Sequence, residues 1–588
     1  MSPRARRPAL VSLSAGAVAT LLAWRVLGLR VDALGVPINY RGDALGLLAL
    51  IKTLAEQGWF IHNPDLGLPG ALDLHGFPTA DNAHFALLGL LTALGASPPA
   101  AFNLYFLMGF FLAAATATWA LLALALDAPL ALLGGLAFSV TPYHFLRGVT
   151  DVAAHLFLAS YYLVPVATLL ILRSAEAVAE ASPDAPEPPS ADRRALCLCA
   201  LLPAFGIYYA AFFVVLLATL TGLEVALHRR PRGLLPAAQM AVVTVVSGAL
   251  NMWPTRGSSG SGVADAIVRD PGDVERYGLK LAQLLLPPAG HPFALFSEIG
   301  VRYHATAMVV TENETDALGT LGALCLLLTL GIALAAGLAP AAASEAPSAR
   351  ARRLAVLTLV ALLFGTVGGL SSALAYAVGT PLLRSVNRIV VYILFASLAA
   401  ALLCLQEWLA RRRRWGRQRA GWAVAGVGLA VLIGEHQNPS FRPQAEAVAN
   451  AWAGDAAFVH SLEAELPPGS KVFELPYMAF PESGWDREDY ELLRPYLHSR
   501  SLRWSFGALR GSPVDAWQRQ VTSLLAQGRT PFLAALAEGG FRGVLLHRRF
   551  SAQHLPAVAE LLERALGEPG RVSPDGTWAY YPLPPPGP

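Results

Sequence analysis

The sequence of 588 residues has little charge: Asp, Glu, Lys and Arg together make up 14% of it, whereas hydrophobic residues make up 54%. An average soluble protein is about one quarter charged. So few charged side chains cannot coat a soluble globule of this length, and the composition therefore predicts a polytopic membrane protein. The net charge of +3 adds little, because in membrane proteins the distribution of charge matters more than its sum.

Cysteine is scarce as well, with four residues in the chain: Cys197, Cys199, Cys325 and Cys404. All four lie in apolar runs and none belongs to a Cys-x-x-Cys pair, so the sequence offers neither a disulfide framework nor a thiolate metal site. We interpret them as small apolar packing residues.

Apolar segments of spanning or near-spanning length predict about eleven membrane helices, each needing about 20 residues to cross. They lie near residues 9–29, 100–124, 129–145, 155–172, 195–209, 211–227, 233–253, 317–338, 354–370, 388–409 and 420–435. The first follows a basic start and precedes no small-residue cleavage site. We therefore interpret it as a retained membrane helix rather than a signal peptide.

The arginine clusters all fall on one side of these predicted helices. They occupy residues 2–7, 193–194, 228–232, 350–353 and 411–419, on the same side as the N-terminus. The positive-inside rule assigns that side to the cytoplasm. The other side then receives the loops 30–99, 254–316 and 371–387 and the whole C-terminal tail.

Composition divides the chain into a membrane domain, 1–435, and a tail, 436–588. The tail alternates expected strands at 471–478, 541–550 and 577–583 with expected helices at 515–527, 530–540 and 555–567, which predicts an extracytoplasmic α/β domain. It contains no nucleophile elbow, P-loop or HExxH motif. On the opposite side, the Pro/Ala-rich insert 174–192 has no periodic apolar face and is predicted to be a flexible linker.

Asp43 follows the first membrane segment directly, in "INYRGDALGLLALIKTLAEQGW", residues 38–59. The residues after it predict an amphipathic helix at the membrane surface, with Lys52 and Glu56 on its polar face. Asp43 is either the N-cap of this helix or a reactive carboxylate. The two interpretations are separable, because Asn caps as well as Asp but cannot act as a base.

Asp81 and His84 lie further along the same loop, three residues apart at the start of another expected helix. They are either an N-cap with an interfacial histidine or a polar pair that faces a substrate or assists Asp43. No Asp-x-Asp occurs in this loop, so a tightly held divalent metal is not indicated, although the three side chains could converge on one.

Charged residues also crowd the approaches to two later membrane segments. One group is either a solvated rim or part of a site, and comprises Glu298, Arg302, His304, Glu312, Glu314 and Asp316. Arg384 and Arg388 lie one helical turn apart at the outer mouth of another segment, and Arg147 could join them. These arginines either snorkel to the interface or grip a lipid-linked phosphate, which guanidinium groups bind bidentately.

The sequence resembles the GT-C superfamily of integral-membrane glycosyltransferases. The most specific match is the stretch "YRGDALG", which places an acid directly after the first helix in a long outer loop. The stretches "DNAHF", "NLYFLM" and "TPYHFLRG" are similar to uncharacterised bacterial polysaccharide-modifying members. The resemblance implies a GT-C-like fold with interfacial helices in the first outer loop. It also implies inverting transfer of a sugar from a polyprenyl-phosphate carrier to an acceptor hydroxyl on a cell-envelope glycan or lipid, outside the cytoplasm.

The resemblance implies residue roles as well. Asp43 would be the general base, Arg388 with Arg384 would stabilise the leaving phosphate, and Glu312 or Glu314 would bind sugar hydroxyls or the acceptor. Asp81, His84, Arg147, Arg302 and His304 are further candidates for substrate binding. An apolar groove between helices would hold the prenyl tail.

No cofactor is predicted, because a second acid directly beside Asp43 is missing; a divalent metal is the alternative. We expect a multi-pass protein of the bacterial inner membrane, in contact with membrane lipids and with no nucleic-acid partner. Three rival functions remain: a transporter or flippase for lipid-linked sugars, a non-catalytic envelope assembly protein, and another transferase acting on a lipid phosphate. A transporter would place charges midway through paired, broken helices.

Overall fold

The computed structural model describes residues 3–584, apart from residue 78 and segments 151–154, 182–189, 256–269, 309–310, 339–346, 380–382, 412–416 and 486–487. The centre of the Pro/Ala-rich insert and part of the cluster 411–419 therefore lie outside the described residues. The rest of the chain forms a helical bundle followed by a mixed α/β region, as the sequence predicts.

The bundle and its loops contain helices with the following bounds: α1 Pro3–Leu27, α2 Asp43–Gln57, α3 Asn82–Ala93, α4 Pro98–Ala123, α5 Ala128–Ser139, α6 Pro142–Val149, α7 Val164–Glu180, α8 Arg193–Leu201, α9 Ile207–His228, α10 Leu235–Met252, α11 Asp273–Arg276, α12 Leu281–Leu285, α13 Ala294–Thr306, α14 Gly319–Leu338, α15 Ala349–Gly365, α16 Leu370–Val378, α17 Val390–Arg411 and α18 Arg417–Glu435. A short antiparallel pair of strands, β1 His62–Asn63 and β2 Leu72–Asp73, lies between α2 and α3.

Six helical stretches of the described residues are long and apolar enough to cross a membrane: Arg7–Leu27, Pro98–Ala123, Ala128–Val149, Ile207–His228, Pro231–Thr255 and Val386–Arg411. This confirms a polytopic helical membrane protein. A helix overlaps each of the eleven predicted segments, but several helices are shorter than a membrane crossing requires, so the count of eleven stays a prediction.

Two segments differ from the sequence-based expectation. The fourth apolar segment becomes helical only at Val164, and α7 then continues to Glu180, so the first residues of the predicted linker are helical. Between α5 and α6 the helix is interrupted, because Pro142 cannot donate a backbone hydrogen bond and the Thr141 side chain caps the new helix by accepting from His144 N at 3.1 Å.

Arginine ion pairs mark one end of the bundle. Arg350 in the first turn of α15 contacts Glu176 near the end of α7, with Nε and Oε1 2.7 Å apart. Arg353 contacts Glu224 near the end of α9 at 2.8 Å. The arginine clusters 228–232 and 350–353 therefore share one end of the bundle. The assignment of that end to the cytoplasm stays a prediction.

The tail, which follows α18, contains α19 Ala445–Glu465, β3 Lys471–Leu475, α20 Arg494–His498, β4 Arg503–Trp504, α21 Pro513–Gln527, α22 Arg529–Glu538, β5 Phe541–His547, α23 Arg548–His554, α24 Pro556–Leu566, β6 Arg571–Val572 and β7 Trp578–Pro582. Its five-stranded sheet has the order β4-β3-β5-β7-β6. β3 is parallel to β4 and β5, whereas β7 is antiparallel to β5 and β6. Each of the three predicted strands and three predicted helices has a counterpart, but β5 ends at His547, and residues 548–550, predicted as strand, begin α23.

The tail packs directly on the first outer loop. Side chains on one face of the sheet, Val544 and Leu546 among them, form a separate core with α21, α22 and α24. The neighbouring residue Leu545 points the other way and joins the core of the membrane bundle. The boundary at residue 436 stays a prediction, since the two regions share this core.

Helix α2 is held between the bundle and the tail rather than lying with a free polar face. Lys52, expected on that face, is 5% exposed; its ammonium group lies 4.7 Å from the centre of the Tyr496 ring and contacts Glu56. On the same helix, Thr53 accepts a hydrogen bond from Asn63, whose amide also donates to the Tyr496 hydroxyl, both at 2.7 Å. Packing of the tail therefore overrides the surface position that the periodicity predicts.

Candidate active site

Asp43 is the first residue of α2, immediately after Gly42, which takes the N-cap position with φ 50°. A positive φ favours glycine, because a Cβ would crowd the backbone there. The Asp43 carboxylate accepts no hydrogen bond from the described residues, whereas a capping side chain would accept one from the first turn of the helix. The geometry therefore does not support the N-cap interpretation.

Asp43 instead opens into a cavity of about 190 Å³. Helices α2 and α3 form part of its wall, and the segment 155–157 and the tail residues Phe480, Pro481, Tyr490 and Leu493 complete it. The lining is mostly apolar, with Asp43, Asp81, Thr79, His155 and Tyr490 as its polar members. Such a combination of apolar walls and a few polar groups is typical of small-molecule sites.

The surroundings raise the pKa of Asp43 to about 6. Desolvation by the surrounding protein contributes most, although Asp43 itself is exposed; the negative charge of Glu312 adds to the shift, while Arg388 opposes it. Asp489 also raises the pKa of Asp43 and Arg384 also lowers it. A carboxyl group with this pKa is mostly ionised at neutral pH and basic enough to accept a proton, which suits a general base.

The structure separates Asp81 from His84. Asp81 lines the same cavity as Asp43, and burial raises its pKa to about 6, against the opposing effect of Arg388. Although Asp81 precedes α3 at the N-cap position, its side chain makes no capping hydrogen bond. His84 is completely buried and stacks on Phe157 at 4.3 Å between ring centroids. His84 is therefore a packing residue outside the cavity rather than part of a polar pair.

Arg147, Glu312 and Arg388 form a buried cluster at the same end of the bundle. Glu312 accepts two hydrogen bonds from Arg388, from Nε to Oε1 and from Nη2 to Oε2, each 3.2 Å long. Arg147 Nη1 donates to Glu312 Oε2 at 2.9 Å, and its Nη2 lies 3.9 Å from Asp316 Oδ1. Three separate elements, α6, the turn at 312–315 and the short turn Val386–Ile389 before α17, thereby meet at one carboxylate.

Charge pairing decides the state of Glu312. Burial by itself would raise the pKa of Glu312, but Arg388 and Arg147 outweigh burial and hold that pKa well below its ordinary value. The carboxylate holds two guanidinium groups in place, and its predicted role with sugar hydroxyls or the acceptor stays a prediction.

Arg388 keeps binding capacity beyond this pair. Glu312 engages Nε and Nη2, and Nη1 makes no hydrogen bond to the described residues. A guanidinium group has a second edge, Nη1 with Nη2, that can grip an oxyanion. The Arg388 guanidinium also lies over the Tyr208 ring, 4.3 Å from its centre. Arg384 contacts Glu482 of the tail at 3.4 Å.

An apolar groove of about 450 Å³ runs beside these arginines. Helices α9 and α10 form one side, with Ala211, Val214 and Gly248 among the lining residues. Leu383 and Val386, which flank Arg384 and precede Arg388, close the end of the groove. The groove therefore offers a surface suited to a hydrocarbon chain, and two of its lining residues are close neighbours of Arg384 and Arg388 in the sequence.

The other predicted residues do not join the cluster. Arg302 and His304 lie on α13, and they and Glu314 make no hydrogen bond or ion pair with the cluster within the described residues. No group of three or more His, Cys, Asp or Glu side chains in the described part of the chain is placed to hold a metal ion. The metal requirement stays a prediction.

Sequence reasoning missed the contribution of the tail. Phe480, Pro481, Tyr490 and Leu493 line the cavity of Asp43, and Glu482 contacts Arg384. These residues lie in an irregular segment between β3 and α20, with no periodic pattern. The only available signal was its mixture of aromatic and acidic residues, which does not identify a partner.

No protein-family model matches the sequence, and no curated protein matches it either. Several solved structures are similar in fold. Arabinofuranosyltransferase AftD from Mycobacteria is 15% identical with a TM-score of 0.46, over 91% of this chain and 35% of AftD. This chain thus spans about a third of the length of AftD.

ArnT from Cupriavidus metallidurans, bound to undecaprenyl phosphate, is 13% identical with a TM-score of 0.47, over 92% of this chain and 93% of ArnT. The oligosaccharyltransferase AglB from Archaeoglobus fulgidus, in complex with an inhibitory peptide and a dolichol-phosphate, is 13% identical with a TM-score of 0.40, over 97% and 74%. Likeness at this level does not carry an activity over to this chain.

Proposed function

We propose that the protein is a membrane glycosyltransferase that moves a sugar from a polyprenyl-phosphate carrier to an acceptor hydroxyl, with inversion. One observation carries this proposal: an unpaired carboxylate, Asp43, lines a cavity within electrostatic reach of Arg388, and Val386, two residues before Arg388, lines an apolar groove. A base, an oxyanion site and a hydrocarbon site are the three parts that this reaction requires.

The proposed step is a single displacement. The acceptor hydroxyl gives its proton to Asp43, and its oxygen forms a bond to the anomeric carbon from the face opposite the carrier. The bond between that carbon and the phosphate oxygen breaks, and the electron pair leaves with the polyprenyl phosphate. Proton removal by a positioned base is typically worth 10² to 10⁴ in rate.

The leaving group needs stabilised charge more than it needs a proton, because a phosphate ester leaves as an anion. The open edge of Arg388 would bind its oxygens, and Arg384 would assist. Glu312 fixes the other edge of Arg388, so the guanidinium is oriented before the substrate arrives. The groove beside it would take the prenyl tail.

Asp81 would hold an acceptor or donor hydroxyl across the cavity from Asp43. The membrane face is also part of the proposal: by the positive-inside rule the arginine clusters favour a cytoplasmic location for the opposite end of the bundle, so we propose that this site faces the extracytoplasmic side of the inner membrane. Attaching a reporter of periplasmic location after residue 584 should give signal, and a reporter active only in the cytoplasm should not.

A transfer assay with purified protein tests the proposed function. Wild type, Asp43→Asn and Arg388→Ala would each be incubated with a panel of polyprenyl-phosphate sugars, and release of free polyprenyl phosphate would be measured. We expect release with wild type and loss in both variants, with Asp32→Asn, in an exposed ion pair of the same loop, as the control. Full release by Asp43→Asn would contradict the assignment of the base, and carrier movement across vesicles without release would favour a transporter.

A further inference from the structure

A second cavity, of about 460 Å³, lies on the other side of the segment that leads into Asp43. Residues 38–41 form one wall, α19 forms another, and Arg549, Pro574 and Asp575 of the tail close it. It shares no lining residue with the cavity of Asp43. Arg41 lines it only two residues before Asp43, so the two cavities flank one short stretch of backbone.

The floor of this second cavity is a fixed polar network. Asp455 is 3% exposed and accepts from the Tyr40 hydroxyl at 2.9 Å, from Trp578 Nε1 at 2.8 Å and from Arg494 Nε at 2.8 Å. Arg494, which lines the cavity, also donates to Glu491 at 2.9 Å. Because each group holds the next, the floor presents oriented polar groups rather than mobile ones.

The charges around the cavity are largely compensated. Asp455 and Glu491 pair with Arg494, Arg549 lies 3.7 Å from Asp575, and the third lining arginine, Arg41, is not without a partner either. The exposed amides of Gln444 and Asn450 add both donors and acceptors. A polyanion would find too few unpaired cations here, and an apolar ligand would strip water from too many polar groups. A neutral molecule with many hydroxyl groups matches this lining.

Space is available because one face of α19 carries small residues. Ala447, Ala451 and Gly454 all line the cavity, at the spacing of one helix face. A Cβ built on Gly454 meets no atom within 4 Å, so a side chain at this position would grow into open space. A volume of 460 Å³ also falls within the range of about 300–1,000 Å³ that is typical of ligand sites.

We infer that this second cavity binds a neutral saccharide, the part of the acceptor glycan that lies away from the reacting hydroxyl. The identification of this saccharide as part of the acceptor rests on the proposed function. The saccharide site itself rests on the cavity and its lining. A glycan seated against residues 38–41 would lie next to the backbone that carries the base, which would bring its terminal hydroxyl toward the cavity of Asp43.

Filling the cavity tests this inference. Gly454→Trp would occupy it, and Gly454→Ala would leave most of it open in the same helix position. The purified full-length chain in detergent would be titrated with uncharged gluco-, manno-, galacto- and arabino-oligosaccharides of six units. We expect wild type and Gly454→Ala to bind at least one of them with equal affinity, and Gly454→Trp to bind it at least about tenfold more weakly.

Two further variants guard against misfolding. Removing the rim amides together, Gln444→Ala with Asn450→Ala, should weaken binding about tenfold, whereas Gln520→Ala, an exposed residue of α21 outside the cavity lining, should not. Wild type that binds none of the oligosaccharides, or Gly454→Trp that binds as wild type does, would overturn the inference. Asp43→Asn separates the two proposals: it should bind the saccharide normally while transfer is lost.

Discussion

Two sets of acids lie at the same end of the molecule, and their surroundings treat them in opposite ways. Asp43 and Asp81 line a cavity without a paired cation, and desolvation raises the pKa of each to about 6. Glu312 is half-buried and desolvated as well, yet two arginines hold its pKa well below the ordinary value. Desolvation alone therefore does not decide whether a carboxylate is reactive; the presence of a fixed partner does.

The contrast suits the Asp43 cavity and the Glu312 cluster to different chemical roles. A paired carboxylate with a low pKa cannot take up a proton at neutral pH, but it can hold a guanidinium group in place. An unpaired carboxylate with a pKa near 6 can take up a proton. The proposed reaction needs one of each, and the variants below are designed to erase the difference between the regions.

The largest effect is expected from removing the unpaired acid. Asp43→Asn keeps the shape of the side chain but cannot accept a proton, so transfer should fall by about 10² to 10⁴ in kcat. The thermal midpoint should hold or rise, because a raised pKa means that folding disfavours the charged form of Asp43. Asp32→Asn is the matched control. A fall in kcat of less than tenfold in Asp43→Asn would contradict the contrast between an unpaired, reactive Asp43 and a paired Glu312.

Removing the paired cation should be the next largest effect. Arg388→Ala should lower kcat by about 10² to 10³, because the leaving phosphate loses its main donor. Arg388→Lys keeps the charge but loses the two-pronged grip, and an intermediate rate is expected. Arg30→Ala, the partner of Asp32 in an exposed pair, is the control. Equal rates in Arg388→Ala and wild type would show that the cluster is structural only.

The pH dependence links the two regions with a smaller effect. Below a pKa of about 6 the Asp43 carboxyl is protonated and cannot act as a base, so kcat/KM should fall about tenfold from pH 7 to pH 5. Glu312 raises the pKa of Asp43 by its negative charge. In Glu312→Gln the acidic fall of kcat/KM should therefore occur at lower pH. If kcat/KM of Glu312→Gln fell at the same pH as that of wild type, the two regions would not interact.

The smallest effect should come from the groove beside the arginines. Ala211→Phe would narrow it, and KM for a long polyprenyl donor should rise several-fold because apolar contact is lost. A short-chain donor that does not reach Ala211 should be unaffected. Leu223→Phe, an exposed residue of the same helix outside the groove lining, is the control. Equal sensitivity of both donors would place the tail elsewhere.

Local patterns in the sequence predicted much of this arrangement. The apolar segments indicated the bundle helices, and the alternation of strands and helices in the tail indicated its sheet. Asp43 was identifiable as a candidate because it stands at the head of an expected amphipathic helix in the first outer loop, in the stretch "YRGDALG" that carries the family resemblance. The arginines were identifiable because Arg388 enters an apolar run.

Long-range packing explains what the sequence did not predict. Strands β4 and β6 are two residues long, too short for a periodic signal. The burial of Lys52 depends on Tyr496, and the link between Tyr40 and Asp455 joins residues 415 positions apart. His84 has the sequence context of a site residue, but its ring fits among aromatic neighbours. Such outcomes depend on which surfaces meet, and one sequence does not record that.

The wall formed by Phe480, Pro481, Tyr490 and Leu493 has a practical consequence for handling this protein. Cutting the chain after the last bundle helix would open the cavity of Asp43 to water and release Arg384 from Glu482. A hybrid that takes its bundle from this chain and its tail from another would fail for the same reason unless these side chains were transplanted as well. The smallest unit that keeps this cavity lined and Arg384 paired therefore includes both halves.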